Sequence, residues 1–333
     1  MTIVLDSGKS INLIIHIYLL IGQRGFIMEK RLTRTEMLFS LGFLFMLIVA
    51  VGAFFYGVQV GSDKTETKFV ESTKSLSSKS AKIGSYQQQD LVSFYHTVFL
   101  PYREFQTEWF DTMHKLATSQ ISDTSSALKE LASMANQKYK EAEQAAVPNS
   151  ATLLQTAQLD LLKSLKMFSE NAQRAAGSSK NVEASALLKT LKKDPYYIDG
   201  VKFALSGQQN YYSAMQKWGS SVDPNIPSSF SSTSSANIKS WSALPLTIKN
   251  KLMADELTAR KLLAPYYPQD LTARVDQFIG SGQAANMNKQ TVASVVDLLI
   301  RTDAVRQGDF ADSKAELYPK QLLPQLPFFF PEK

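Results

Sequence analysis

The chain has no cysteine in its 333 residues, only three histidines and only 15 glycines. Without cysteine there is no disulfide, no thiolate metal site, no thiol nucleophile and no site for a lipoprotein anchor. Sparse glycine leaves few of the looped sites on which many enzymes rely. HExxH, the P-loop, G-x-S-x-G and the dinucleotide-binding GxGxxG are all missing. Ser281, between Gly280 and Gly282, has no histidine near it in sequence. There is also no N-x-S/T sequon. The net charge of +6 is scattered rather than gathered in a stripe, which argues against nucleic acid as a partner. These absences fit an exported bacterial protein that is not an enzyme and carries no cofactor.

What is present is one uncharged run, Met37–Val60, MLFSLGFLFMLIVAVGAFFYGVQV. As a helix its length is roughly 36 Å, enough to cross a bilayer core of about 30 Å with some tilt. Lys30, Arg31 and Arg34 precede it, whereas Asp63, Lys64, Glu66 and Lys68 follow it in balance. Lys and Arg mark the cytoplasmic flank, so the expected topology places 1–36 inside and the chain after 60 outside. The run far exceeds the roughly 7–15 residues of a signal-peptide core, so it reads as an uncleaved signal anchor. Upstream, Ile11–Ile21 is too short to span. Met28 opens the compact basic leader MEKRLTRTEMLF, and 22–27 can be decoded from a purine-rich, ribosome-binding-like stretch. The expectation is that translation starts at Met28 and that 1–27 is not translated. So short an inner segment leaves no room for autonomous signalling. Beyond residue 60 there are 31 Lys and Arg against 27 Asp and Glu, a mild basic excess.

Residues 61–84 are rich in Ser, Thr and Lys and read as a stalk. From 85 to 219 the pattern is helical. Leu91, Tyr95, Val98, Tyr102, Phe105, Trp109, Met113 and Leu116 recur at three and four, with Pro101 expected to kink the helix or to start a collinear one. A second helix is expected from Thr124 to Val147. A third carries Leu154, Ala157, Leu161, Leu165, Phe168 and Ala172, with Ser150 as its cap and Gly177 at its end. The fourth, about Asn181–Trp218, is split at Asp194–Pro195 and presents Ile198, Val201, Leu205, Tyr212 and Met215. Together these predict an all-α fold with an antiparallel four-helix bundle. A Ser/Pro-rich linker, 220–240, leads to a smaller helical region, 241–333, with helices near 246–264, 269–279, 289–305 and 311–318.

Glu104, Glu108, Asp111 and His114 are spaced by four, three and three, a geometry by which bundles hold di-metal centres. Such a site needs Glu-x-x-His on each of two helices, and His96 has no carboxylate three residues before it. These four are the metal candidates, read as a solvated face. The aromatics Phe94, Tyr95, Phe99, Tyr102, Phe105, Trp109 and Phe110 cover more of the helix than one stripe needs, and are read as core. Each tyrosine pair (196–197, 211–212, 266–267) is expected to place one ring inside and one outside. In the proline-spaced tail, Phe328, Phe329 and Phe330 either dock in a partner's groove or fold back as a clasp.

The function expected from these features is a membrane-anchored scaffold or regulator that binds another envelope protein. The alternative is a module binding a small ligand or cell-wall polymer between bundle and C-terminal helices. A metal-dependent enzyme ranks last.

Overall fold

The helix that begins at Gln88 meets a proline, Pro101, in its fourth turn and passes it without breaking. In the computed structural model, α1 (Gln88–Phe94) runs into a π-helical turn, Tyr95–Phe99, and then into α2 (Leu100–Ala117). Pro101 has no N–H, and its ring would press on the carbonyl of Thr97 in a regular α-helix. The wider turn relieves this: the Leu100 N–H reaches back to the Tyr95 carbonyl, and Pro101 falls in the first turn of α2, where its missing donor costs nothing.

The structure describes residues 86–330 apart from 181 and 231–236, together with Met46. Contacts divide the chain at Lys82/Ile83, and everything that follows belongs to the second unit. The basic flank (Lys30, Arg31, Arg34), the Met37–Val60 run and the stalk therefore lie outside the described residues, save Met46. No helix among the described residues is long and apolar enough to cross a membrane.

The described part is all-helical, its one β feature being an isolated bridge between Asn237 and Thr291. After α2 come α3 (Thr124–Glu143), α4 (Thr152–Ser178), α5 (Ala184–Lys193) and α6 (Pro195–Val222). Cross-helix partners give their directions. Ser125 bonds the Ala176 carbonyl, Ser169 that of Ala132 and Gln158 that of Ala142, so α3 and α4 are antiparallel. Ser164 bonds the Gly200 carbonyl and Ser206 donates to Asp160, so α4 and α6 are antiparallel too. Gly207 lets these two helices approach closely, because a Cβ there would come within 2.7 Å of the Leu161 side chain. The helical bundle is thus present, with α4 between α3 and α6.

Local chemistry sets the helix ends. Asp123 caps α3, and the Gln158 amide takes the carbonyls of Ala142 and Ala145, ending that helix before Val147. Ser150 is not the cap of α4. Ala151 occupies that position, and the Tyr86 hydroxyl accepts from the Leu153 N–H. Gly177 does not terminate α4 either, since the helix includes Ser178 with Ser179 as its C-cap. Asp194 and Pro195 divide α5 from α6 as cap and first residue.

The C-terminal helices are α7 (Ile238–Ser242), α8 (Leu246–Ala259), α9 (Pro268–Gly280), α10 (Gln283–Asn286), α11 (Val292–Arg301) and α12 (Asp309–Leu317). They share one core with the bundle. Within 220–240, Ile226 is buried against Gly219 and the Gln216 amide donates to the Pro227 carbonyl, so this stretch begins as packed structure. α8 lies antiparallel on α6, as Gln209–Asp255 and Leu205–Thr258 show.

The surplus aromatics of the first helix pack beneath these C-terminal elements. Phe94 and Phe99 meet Tyr211, and Phe99 and Tyr95 meet Phe328. Tyr211 and Tyr212 are both buried, contrary to the one-in, one-out expectation, because α6 is covered on two sides. Their hydroxyls donate to the Leu91 carbonyl and to Gln269 respectively, and burial holds both phenols well above their ordinary pKa.

Candidate ligand groove

One face of α6 carries Tyr197, Ile198, Val201, Lys202 and Leu205, spaced so that their side chains share a side of the helix. Facing it are Thr258 on α8 and the residues that follow that helix, Lys261, Leu262 and Leu263. Between the two walls is an open groove of about 530 Å³, within the range of small-molecule sites. Ile198, expected on the buried stripe, is 54% exposed because it forms part of this groove.

The second wall is a helix end in an unusual backbone state. Lys261 has φ +53°, with its N–H on the Thr258 carbonyl and the Leu262 N–H on that of Leu257. This is a Schellman ending whose left-handed position normally takes glycine. It turns the chain so that Leu262 and Leu263 face α6. Behind the wall, Arg103 donates to the Pro265 carbonyl at 3.0 Å, and the Gln106 amide donates to the Ala264 carbonyl at 3.1 Å. Arg103 also donates to Gln106, and its guanidinium carbon lies 3.9 Å from the centre of the Tyr267 ring. It is 4% exposed, and no carboxylate pairs with it among the described residues. The far end of the loop is pinned by Asp270, which accepts from the Tyr267 N–H. The second wall therefore stands on α2 and α9.

The groove's chemistry is simple. Its walls are aliphatic and aromatic, and Thr258 spends its hydroxyl on the Ala254 carbonyl at 2.9 Å. Burial raises the pKa of the Tyr197 phenol, so it stays neutral. The charges are two exposed lysines, Lys202 and Lys261, one from each wall, and neither forms an ion pair among the described residues. Asp199, three residues before Lys202, does not bridge to it.

The four metal candidates lie elsewhere and do not converge. Glu104 pairs with Lys138 of α3 at 2.6 Å, and Asp111 pairs with Lys115 at 2.5 Å. Glu108 accepts from Thr112, and His114 is exposed. No three His, Cys, Asp or Glu side chains gather as a metal site among the described residues.

The tail folds onto its own unit. Phe329 is 1% exposed against Phe310, and Phe328 stacks on Tyr267 at 5.2 Å between ring centres. Phe330 remains partly exposed under Lys314, whose ammonium lies 3.3 Å from the ring centre and donates to the Phe329 carbonyl. A polar hub also escaped the sequence reading. The Asp276 carboxylate accepts from Trp241, Lys249 and Tyr318, joining α7, α8 and the end of α12. Neither it nor the groove has a local signal, because each is assembled from residues far apart in the chain. The helix expected near 246–264 instead ends at Ala259, and Lys261 turns the chain without a glycine.

No protein-family model, curated protein or solved structure matches this chain.

Proposed function

We propose that this chain is a membrane-anchored binding protein of the bacterial envelope, held by Met37–Val60 with its helical unit outside the cytoplasm. In this reading the helical unit binds a small ligand in the groove between α6 and the Lys261–Leu263 wall. The observation that carries the binding role is the groove itself, apolar within and fixed from behind by Arg103 and Gln106. Its nine lining residues are fewer than the roughly 20–30 per side of a stable protein–protein interface, which favours a small ligand there over a scaffold contact. Thr258, with its hydroxyl given to the backbone, is no activated nucleophile, so the groove reads as binding without catalysis. Anchoring is supported by the length of the apolar run and its basic leader.

The test has two parts. Protease added to intact spheroplasts should digest residues after 60 while the protein stays with the membrane fraction; full protection would overturn the topology. Protein extracted from native membranes should carry a small molecule detectable by mass spectrometry. A groove-filling Val201→Trp variant should lose it, and retention by that variant would overturn the binding role.

A further inference from the structure

Resting on that reading, we infer that the occupant of the groove is a single-chain anionic amphiphile of the long-chain fatty acid class. Its chain would lie on Ile198, Val201, Leu205, Leu262 and Leu263, and its carboxylate would meet Lys202 and Lys261.

Three observations lead there. The first is the make-up of the lining: seven of its nine residues are uncharged, and the two charged ones are the exposed lysines Lys202 and Lys261. A sugar or an extended peptide needs hydrogen-bonding groups along its length, and apart from the lysines the side chains offer only the Tyr197 hydroxyl and that of Thr258, which is already engaged. An alkyl chain needs none. The second is charge complementarity. Lys202 and Lys261 reach the groove from opposite walls, and no described carboxylate neutralises either of them. Two ammonium groups at the mouth of an apolar slot match one anionic head on one apolar chain.

The third is the backbone of Lys261. At φ +53° a lysine is strained relative to glycine, and the helix ending would form at least as well without its side chain. Ser119, Asn288 and Asp303 end helices in the same conformation, so it assigns no role by itself; what sets Lys261 apart is that it lines the groove. Here that side chain brings a cation to the rim.

The backbone state also supplies the test. Lys261→Gly should leave the melting temperature of the full chain unchanged or raise it, while removing one of the two cations. The probe is palmitate carrying a photoreactive diazirine, offered to the full chain in nanodiscs of zwitterionic lipid, with labelled peptides mapped by mass spectrometry. Label is expected in 197–205 and 258–263, competed by palmitate and not by hexadecanol. The Lys202→Gln/Lys261→Gly double variant should lose labelling about tenfold or more, because two charge-assisted contacts are removed. Lys192→Gln/Lys193→Gln, a charge-matched control on α5, should not. Equal competition by hexadecanol, or undiminished labelling of the double variant, overturns the anionic ligand but leaves a binding groove standing. Absence of label from both walls, with Val201→Trp also without effect on the co-purifying molecule, overturns the groove and the inference together.

Discussion

Arg103 lies over Tyr267, its guanidinium carbon 3.9 Å from the ring centre, and from that position it holds the Pro265 carbonyl at 3.0 Å. A planar cation with several directed donors satisfies both contacts at once, which a lysine ammonium cannot reproduce. The pair ties the first helix of the unit to a loop more than 150 residues later.

Arg103→Ala should cost about 2–4 kcal/mol in chemical denaturation, since it removes a buried stacked contact and leaves the Pro265 carbonyl without its donor. Arg103→Lys should recover less than half of that loss. If the lysine variant were as stable as the parent, the stacked geometry would carry no energy.

Among the described residues, four helices end on non-glycine residues in the left-handed region: Ser119, Lys261, Asn288 and Asp303. Ser119→Gly should stabilise the chain by about 1 kcal/mol, read as a higher denaturation midpoint with unchanged slope. Asn288→Gly and Asp303→Gly should gain less, because asparagine and aspartate tolerate that conformation.

Gly207→Ala should destabilise. Alanine favours a helix by about 1 kcal/mol over glycine, but forcing a methyl against buried Leu161 costs about 1–3 kcal/mol. The added Cβ would also stand 3.2 Å from the Ala157 carbonyl, which has little freedom to move. Gly177→Ala, where nothing lies within 4 Å, should instead stabilise and serves as the comparison.

Asp270 is 2% exposed, and its carboxylate accepts from the N–H groups of Tyr267, Gly308 and Phe310. Burial outweighs those bonds and pushes its pKa up to about 6 from an ordinary 3.8. The folded state therefore holds this proton more tightly than the unfolded chain. The stabilisation is complete below pH about 4 and is lost as pH rises through about 6, an effect of roughly 3 kcal/mol. Urea denaturation of parent and Asp270→Asn across that window should show the difference between them changing in this direction. A constant difference would refute it.

Phe329→Ala should cost about 3–5 kcal/mol, the usual range for emptying a buried phenylalanine site. Phe330→Ala, at the exposed edge under Lys314, should cost under about 1 kcal/mol. Melting temperatures of the two variants decide it, and equal losses would contradict the tail's packing.

The run from Leu91 to Leu116 was legible because one face of one helix stays against the same core throughout. Asp194–Pro195 was legible because a cap and a first-turn proline act locally. The π-turn at Tyr95–Phe99 was not, since nothing in sequence says whether a proline is accommodated by a kink or by a wider turn. Ser150 lost its expected role to Tyr86, a residue more than 60 positions away. Tyr211 and Tyr212 are both inside because α8 and α9 cover a face that the bundle alone would leave open. The groove was foreseen only as a location between bundle and C-terminal helices. Its residues could not be, because Ile198 and Leu263 meet only through the packing of α8 on α6.

The serine pins on α4 have a mechanical meaning. Ser169 holds the Ala132 carbonyl on one neighbour, Ser164 holds that of Gly200 on the other, and Leu161 sits in the notch at Gly207. A piston stroke of one helical turn, about 5.4 Å, would break both bonds and drive Leu161 out of its notch. The bundle thus behaves as a keyed shaft rather than a set of sliding rods.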